Sequence, residues 1–299
     1  MTVADVTVWD AAEDEPLGTK PKQWLRDPDG QLWLWKERTW QSDGRGGRFP
    51  KGDDWSEVVA GRLGEALGIP VARVELAVRG GTAGVVSRSV LADEHESLVH
   101  GNELLGEAGI GTGDPRDRTG YTVDAVRQVL SGVSAPEASA DLPDAFSWFV
   151  GYLLLDALVG NTDRHQDNWA VLRTGSAPAR LAPSFDHASC LGFLLSDAER
   201  TERLTTRDGM RQVGAFAGAA KSKFDGRPGV LDVARDALAS LRADGQAHWT
   251  GVVTGAPSLD PLLDALPADR ISDASREFAS AVYRNNLSSL SHHLRTMGA

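Results

Sequence analysis

A long apolar run covers residues 146–159, and a second apolar segment follows at residues 169–172. The first has the length of a buried helix, and the second has the length of a strand. Between them, residues 161–168 are all polar. Beyond them, glycine and proline at residues 174–178 predict a hairpin that returns the chain at residues 180–187. The pattern therefore predicts a buried helix, a polar loop and a strand hairpin in succession.

Alternating apolar and polar positions dominate the amino-terminal part of the chain. Residues 23–36 form two alternating runs around Asp27-Pro28-Asp29-Gly30, which is a strong hairpin signal. Residues 71–90 form a second alternating pair around a glycine-rich turn. Between the pairs, the apolar spacing in residues 56–68 predicts a helix that stops at a glycine followed by Ile-Pro. Residues 1 to about 86 therefore predict a strand-rich lobe with one helix.

Helical patterns prevail in the rest of the chain. A short capped helix is predicted at residues 122–130, and amphipathic helices are predicted at residues 228–238 and 272–294. Residues 93–120 are polar and rich in glycine. Their segment 109–113 looks like a phosphate loop, but it neither follows a strand nor opens a helix, so a plain loop is predicted.

The polar loop at residues 161–168 predicts chemistry. A helix cap with ordinary turn residues is the alternative, but the predicted hairpin returns Asp186 towards this loop. Phosphoryl transfer uses one Asp to orient and deprotonate the attacking hydroxyl, and an Asn and a second Asp to hold Mg²⁺ at the nucleotide phosphates. Asp163 and Asn168 have the spacing of a protein-kinase catalytic loop. Phe185-Asp186 stands where such kinases carry Asp-Phe-Gly.

Lys36 ends an apolar strand, where an ammonium group needs an anion or solvent. One interpretation is an edge lysine whose charged end reaches water. The other is the kinase strand lysine, which binds the α- and β-phosphates and pairs with a helix Glu. Glu57 lies in the first turn of the predicted helix and is the candidate partner. The helix dipole alone also favours a carboxylate there, so spacing leaves both interpretations of Glu57 open.

The loop Gly18-Thr19-Lys20-Pro21-Lys22 precedes the first hairpin. Its glycine backbone and two lysines can hold phosphates through N–H groups and positive charge. A solvated turn is the alternative, and on these residues alone it is favoured.

Composition restricts the class of protein. The net charge of −11 and the pI near 5.1 argue against non-specific nucleic-acid binding. The single cysteine, Cys190, excludes an internal disulfide and a cysteine-based zinc site. We predict no signal peptide and no membrane span. The expectation is a soluble cytoplasmic protein of two domains or one two-lobed domain.

The chain resembles the HipA-like serine/threonine kinases of bacteria over roughly residues 15–295. The motifs that carry the resemblance are Asn161-Thr162-Asp163-Arg164-His165-x-x-Asn168, Leu181-Ala182-Pro183-Ser184-Phe185-Asp186, Gly18-Thr19-Lys20-Pro21-Lys22, Lys36, and Glu57 with Leu67-Gly68-Ile69-Pro70. The resemblance implies that Asp163 is the base and that Asn168 and Asp186 bind Mg²⁺. It also implies that Lys36 binds phosphate.

Further residues take roles by the same resemblance. Gly18, Thr19, Lys20 and Lys22 would cover the nucleotide, and His165 would lie beside its phosphates. The adenine hinge would be formed by Ser87, Arg88 and Ser89.

The family implies an α+β, bilobal protein-kinase-like fold. Its strand-rich amino-terminal lobe would span residues 1–90, and its mostly helical carboxy-terminal lobe would span residues 91–299. ATP and Mg²⁺ are the implied cofactors, and a Ser/Thr hydroxyl of a protein is the implied acceptor. An antitoxin-like or operon partner is a further expectation, with no membrane and no direct nucleic-acid binding.

The sequence departs from the family pattern at three places. His187 stands where protein kinases have the glycine of Asp-Phe-Gly, so backbone switching is not expected there. The hinge reads Ser-Arg-Ser where many members carry Glu-Arg-Phe, which predicts a shallower adenine pocket. Little sequence precedes Gly18, whereas toxin members carry an extra subdomain.

Two alternatives to a protein kinase follow. A small-molecule or lipid kinase uses a similar Asp-Arg-His-x-x-Asn loop, and a nucleotide-binding pseudokinase or scaffold would fit the unusual hinge and His187. We also expect Asp163, Asp167 and Asp186 to lie in one small polar pocket, with His165 nearby. Close carboxylates would raise one another's pKa, and a divalent cation would remove their repulsion.

Overall fold

The computed structural model describes residues 1–14, 22–44, 46–111, 117–137 and 141–297. Within these ranges, six strands of the amino-terminal part form a mixed sheet in the order β1-β7-β8-β4-β3-β2, and β5 pairs with β6. The strands are β1 (Ala4–Asp5), β2 (Asp10–Asp14), β3 (Lys22–Arg26), β4 (Leu32–Glu37), β5 (Trp40–Ser42), β6 (Arg48–Pro50), β7 (Val74–Arg79) and β8 (Thr82–Arg88). The β1–β7 pairing is parallel, and the other pairings of the sheet are antiparallel.

The two predicted hairpins of this part are confirmed. Strands β3 and β4 flank the Asp27–Gly30 turn, and β7 and β8 form the second pair. Gly30 has φ +82° and closes the first turn in a conformation that glycine adopts without strain. Strands β1 and β2 were not predicted. They are short, and β2 is acidic and carries a register shift between Ala11 and Glu13, so neither shows a clean alternation.

Helix α1 (Asp53–Ala66) begins three residues before the predicted start. The reason is a buried cluster of charges in its first turn. The Asp54 carboxylate accepts a bond from Arg270 at 3.2 Å and lies 3.5 Å from Arg38 Nε. Arg270 also donates to the Ala77 carbonyl of β7 at 2.8 Å. The cluster therefore fastens α1 to the sheet and to the distant carboxy-terminal segment.

A small sheet begins the carboxy-terminal part, with the order β11-β10-β9. Its strands are β9 (Glu96–His100), β10 (Ala170–Thr174) and β11 (Arg180–Leu181). No strand or helix was predicted within residues 93–120, but this range contains β9 and a helix that starts at Gly101. Strands β9 and β10 pair although about 70 residues separate them in sequence, so the pairing leaves no local signal in the sequence. Residues 112 and 113 of the glycine-rich segment lie outside the described residues.

Helices make up most of the remaining chain. They are α2 (Gly101–Glu107), α3 (Val123–Val129), α4 (Ala145–Val159), α5 (Asp197–Thr205), α6 (Val213–Gly218), α7 (Val230–Ala239), α8 (Ala243–Thr254), α9 (Asp260–Asp264) and α10 (Asp273–Met297). Helices α3, α4, α7 and α10 were predicted, whereas α2, α5, α6, α8 and α9 were not. None of the described helices combines the length and the apolar character that crossing a membrane requires.

Helix α4 is the centre of the main core. Every residue of this helix is buried, and the core around it runs continuously from α1 to α10. Asp144 caps its first turn by accepting from the Ser147 N–H. Gly160 ends it with φ +67°, a left-handed conformation that favours glycine. Helix α4 is therefore a rigid, buried support that delivers the polar loop at a fixed place.

We predict that Gly151→Ala lowers the free energy of unfolding by about 1–3 kcal/mol, because small-to-large changes in a packed core force its neighbours to move. A Cβ at Gly151 in α4 would lie 2.3 Å from the Trp249 ring, and the Trp249 Nε1–H is fixed on the Ser147 carbonyl. The measurement is chemical denaturation.

Gly251→Ala is the matched control. Gly251 is exposed in α8 with nothing within 4 Å of an added Cβ. Alanine there should raise stability by about 0.5–1 kcal/mol, because it lowers the entropy lost on folding. Equal effects of the two substitutions would contradict the assignment of Gly151 to a tight helix contact.

Candidate active site

A buried ion pair connects α4 to the polar loop. Arg164 donates to the Asp156 carboxylate through Nε at 2.7 Å and through Nη2 at 2.9 Å. Both side chains are about 2% exposed. Asn161 Nδ2 also donates to Asp156 at 2.8 Å. Because an isolated buried charge is costly, this two-point pairing fixes the start of the loop against the helix.

Arg164 also determines the shape of the rest of the loop. Its Nη1 donates to the carbonyl of Asn168 at 2.7 Å, and its Nη2 donates to Ser184 Oγ at 2.9 Å. Tyr121 donates through its hydroxyl to the Arg164 carbonyl at 3.2 Å. One buried guanidinium therefore holds the polar loop and the Ser184 segment together.

Asp163 and Asn168 lie on this loop and share a hydrogen bond. Asn168 Nδ2 donates to the backbone carbonyl of Asp163 at 2.7 Å, and the Asp163 N–H donates to Asn161 Oδ1 at 3.1 Å. The Asp163 side chain is 37% exposed and contacts Lys223 Nζ at 3.3 Å. The backbone of Asp163 is thus fixed, while its carboxylate faces an accessible site.

Lys36 lies at the meeting point of three elements. From β4, its Nζ donates to Glu57 of α1 at 2.8 Å and to Asp186 at 3.1 Å. Lys22 Nζ lies 3.9 Å from the other oxygen of Asp186. Burial alone would lower the pKa of Lys36, but the charges of Asp186 and Glu57 outweigh it and raise the pKa above its ordinary value. Burial raises the pKa of Glu57, against the attraction of Lys36. The lysine therefore stays charged.

Asp186 has φ +58°, in the left-handed region. Aspartate and asparagine tolerate this conformation better than other residues with a side chain. The preceding residues are held by backbone bonds, since the Ser184 N–H donates to Pro70 O at 2.8 Å and the Ala72 N–H donates to Ser184 O at 2.8 Å. The backbone therefore turns sharply at Asp186 and presents its carboxylate to Lys36.

His187 is buried next to Asp186 in a neutral form. Its Nε2 lies 2.7 Å from Ser184 Oγ. Ser184 Oγ also accepts from Arg164 Nη2, and its own hydrogen can be donated to a neutral imidazole nitrogen. Burial, and then the charge of Arg164, lower the pKa of His187 well below its ordinary value of 6.5. A bulky, hydrogen-bonded His thus fills the position that a glycine occupies in Asp-Phe-Gly.

The atoms present fit a hard cation. Asn168 Nδ2 is used on a carbonyl, which leaves the oxygen Oδ1 for a ligand, and the partly exposed Asp186 supplies carboxylate oxygens. Amide and carboxylate oxygens are the ligands of Mg²⁺, which also keeps several waters and binds substrate phosphates. Among the described residues, no three His, Cys, Asp or Glu side chains gather to hold a metal by themselves.

The expected pocket of three repelling carboxylates is not found. Instead each carboxylate has a basic partner: Asp163 has Lys223, Asp186 has Lys36, and His165 Nδ1 lies 3.1 Å from Asp167. Lys36 and His165 were assigned to the site from the sequence, though not as partners of these acids, and nothing in the sequence indicated Lys223.

The remaining predicted residues divide into two sets. Gly18, Thr19 and Lys20 lie outside the described residues, so only Lys22 of that loop is placed. The hinge residues end β8, where the N–H groups of Arg88 and Ser89 donate to Arg73 O at 2.8 Å and to Leu32 O at 2.9 Å. Those two amides therefore already have acceptors within the protein. That Ser87, Arg88 and Ser89 contact adenine stays a prediction.

Two residues of the site, Asp156 and Lys223, were missed by the sequence analysis. Asp156 had a signal, since it is a lone charge in the apolar run 146–159 and therefore needs a buried partner. Lys223 had none, since it lies in an ordinary polar segment 60 residues beyond Asp163. Its place in the site follows only from the tertiary fold.

The fold is that of bilobal α+β kinases. The family model described as HipA-like C-terminal domain matches residues 15–243, and the chain belongs to this family. No curated protein matches the sequence significantly.

Solved structures share the fold over nearly the whole chain. The Helicobacter pylori proinflammatory kinase CtkA is 19% identical, with 99% of this chain and 98% of that chain covered and a TM-score of 0.73. HipA of Shewanella oneidensis MR-1, solved with HipB and operator DNA, is 15% identical, with 95% and 66% covered and a TM-score of 0.56. A Golgi casein kinase is 12% identical, with 98% and 74% covered and a TM-score of 0.51. The predicted α+β bilobal kinase-like fold is confirmed.

We predict that His187 makes the nucleotide-free protein lose stability below pH 6.5. The native state keeps this His neutral, whereas the unfolded state takes up a proton as the pH falls through 6.5. Stability therefore rises with pH in this window, by at most about 1.4 kcal/mol per pH unit for one proton.

His187→Gln keeps an acceptor for the Ser184 hydroxyl and removes the titration. Between pH 6.5 and 5 the variant should lose less stability than the wild type, measured by urea denaturation at each pH. His95→Gln, at an exposed position, should behave as the wild type does. Parallel stability curves for wild type and His187→Gln would contradict a buried neutral His187.

Proposed function

We propose that the protein is an ATP- and Mg²⁺-dependent kinase that transfers the γ-phosphoryl group to a Ser or Thr hydroxyl of a protein. The observation that carries the proposal is the contact of Lys36 with both Glu57 and Asp186. It joins a strand, a helix and the metal-site segment in the arrangement that active protein kinases require. Membership in the HipA-like family supports the choice of a protein acceptor.

Each side chain has a role in this mechanism. Asp163 accepts the proton of the acceptor hydroxyl as its oxygen bonds to the γ-phosphorus, and ADP leaves as the bond to the β-phosphate oxygen breaks. Lys36 binds nucleotide phosphates, and its charge is maintained by Glu57. Asn168 and Asp186 would hold Mg²⁺, which neutralises charge on the phosphates when bound. Catalysis then consists of positioning and charge stabilisation.

The alternatives differ in what supports them. A pseudokinase is disfavoured because Lys36 contacts both Glu57 and Asp186, and because His187 is accommodated by Ser184. A small-molecule or lipid acceptor would use the same side chains, so the test below includes it. An antitoxin-like partner stays a prediction that rests on the family resemblance.

Asp163→Asn should lower phosphoryl transfer about 10²- to 10⁴-fold, which is the usual contribution of a general base. Nucleotide affinity should change little, because the amide keeps the shape of the side chain. The measurement is transfer of labelled phosphate from ATP to denatured proteome and to a panel of small hydroxyl compounds, with calorimetry for binding.

Asp124→Asn is the control, since this side chain is 91% exposed in α3. It should transfer phosphate at the wild-type rate. Full transfer by Asp163→Asn would refute its role as the base. Transfer confined to small molecules would overturn the protein acceptor and leave the kinase assignment standing.

A second prediction concerns the metal site. ATP and Mg²⁺ together should raise the melting temperature more than the sum of their separate effects, because each completes the other's site. The combined variant Asn168→Ala with Asp186→Asn should lose this synergy. Asparagine is chosen at Asp186 because alanine would be strained at φ +58°.

The measurement is thermal unfolding with Mg²⁺, with ATP and with both. The ligand-free variant should melt below the wild type, because Asn168 is buried and donates to Asp163 O, and Asp186 contacts Lys36. The quantity compared is therefore the synergistic ligand shift within each protein, not the melting temperature without ligand. A full synergistic shift in the variant would mean that the metal site lies on other residues.

A further inference from the structure

Residues 220–230 form a narrow turn that is anchored beside the polar loop. Lys221 and Gly229 make an antiparallel bridge, and the Ser222 N–H donates to Pro228 O at 2.9 Å. Phe224 is buried and stacks on Tyr121 with ring centroids 4.3 Å apart and planes at 12°. This turn, defined here as the Lys223 turn, is therefore fixed by a buried aromatic contact.

The anchor of the Lys223 turn is also an anchor of the polar loop. Tyr121 donates to the Arg164 carbonyl and accepts from Trp169 Nε1 at 3.1 Å. The Asp225 N–H donates to the Tyr121 carbonyl at 2.9 Å, and Asp225 Oδ2 accepts from the Gly120 N–H at 2.9 Å. The same tyrosine thus sets the distance between the turn and the loop that carries Asp163.

Lys223 projects from this anchored turn to Asp163, at 3.3 Å from Oδ1. Its side chain is 39% exposed, so it stands at the open side of the carboxylate. An exposed ion pair alone contributes little to stability, usually below about 1 kcal/mol. The buried contacts of the turn therefore fix the position of Lys223, although its ion pair with Asp163 contributes little to stability.

Within the described parts of the chain, four other basic side chains near the reaction centre have partners elsewhere. Lys36 and Lys22 lie at Asp186, on the side of the proposed metal site. Arg164 is buried on Asp156. His165 is paired with Asp167. Lys223 is the cation that lies at Asp163, on the side where an acceptor hydroxyl would enter.

We propose that Lys223 is a catalytic residue that binds the γ-phosphoryl group while that group passes from ATP to the acceptor held by Asp163. The inference rests on the proposed function and extends it to a residue outside the kinase motifs. The ammonium donates to a phosphoryl oxygen, whose negative charge must be offset throughout transfer. The acceptor proton goes to Asp163, the acceptor oxygen bonds to phosphorus, and the bond to the ADP oxygen breaks. Lys223 keeps its protons.

The test compares Lys223→Gln, Lys223→Arg and the matched control Lys221→Gln from the same turn, where Lys221 is exposed. Calorimetry with Mg²⁺ measures affinity for ADP and for the non-hydrolysable β,γ-imido analogue of ATP. ATP turnover and melting temperature are measured on the same preparations.

Lys223→Gln should weaken the triphosphate analogue about tenfold, which is the size of one lost charge-assisted hydrogen bond. It should leave ADP affinity and melting temperature as in Lys221→Gln, because ADP lacks the γ-phosphate. Turnover should fall by at least about the same factor, and Lys223→Arg should recover part of both losses.

Two results would overturn the inference while the proposed function stands. Lys223→Gln could match Lys221→Gln for the analogue and for turnover, or it could weaken ADP and the analogue equally as its melting temperature falls, which would mark a structural turn. If the wild-type protein bound neither nucleotide, the proposed function would fail and the inference with it.

Discussion

The Asp156–Arg164 pair is the constraint on which the site depends. Removing two charges from water costs several kcal/mol each, so such a pair is poor evidence of net stabilisation. Its effect is on specificity. A guanidinium does not lose its proton in a protein, so every loop conformation that breaks its bonds leaves a buried charge unpaired. Since the same guanidinium also binds Asn168 O and Ser184 Oγ, the loop and the segment before Asp186 take one relative position.

Lys36 presents the opposite situation, because one cation is shared by two carboxylates. Glu57 is 1% exposed, whereas Asp186 is 30% exposed. Of the two, Asp186 is the one with access to solvent and within 3.9 Å of Lys22. It is therefore the partner that a metal ion could draw away, or that a nucleotide phosphate could replace at Lys36. Glu57 then remains with the lysine and keeps its charge balanced. The difference in exposure thus distinguishes Glu57, the partner that stays with Lys36, from Asp186, the partner that can be exchanged.

How much of the fold and of the site the sequence predicts depends on how far apart the interacting residues lie along the chain. The Asp27–Gly30 hairpin, helix α4 and the Asp163–Asn168 spacing are local patterns, and they were found with nearly correct bounds. The Lys36–Glu57 contact was one of two open interpretations, and the structure contains it. The β9–β10 pairing and the Lys223–Asp163 contact join residues about 60–70 positions apart. Neither hydrophobic periodicity nor turn residues in the sequence indicate contacts over such separations, because tertiary packing determines which residues meet.

The charges of the site differ from those of the whole chain. The sequence predicted carboxylates that repel one another in the pocket, and the chain as a whole has a net charge of −11. Instead, cations stand beside each carboxylate of the site: Lys36 and Lys22 at Asp186, and Lys223 at Asp163. Such pairing places an opposite charge beside each of these acids and so offsets repulsion between them. Since Glu57 also lies at Lys36, three lysines meet three carboxylates in these contacts, so the charges of the site are balanced although those of the whole chain are not.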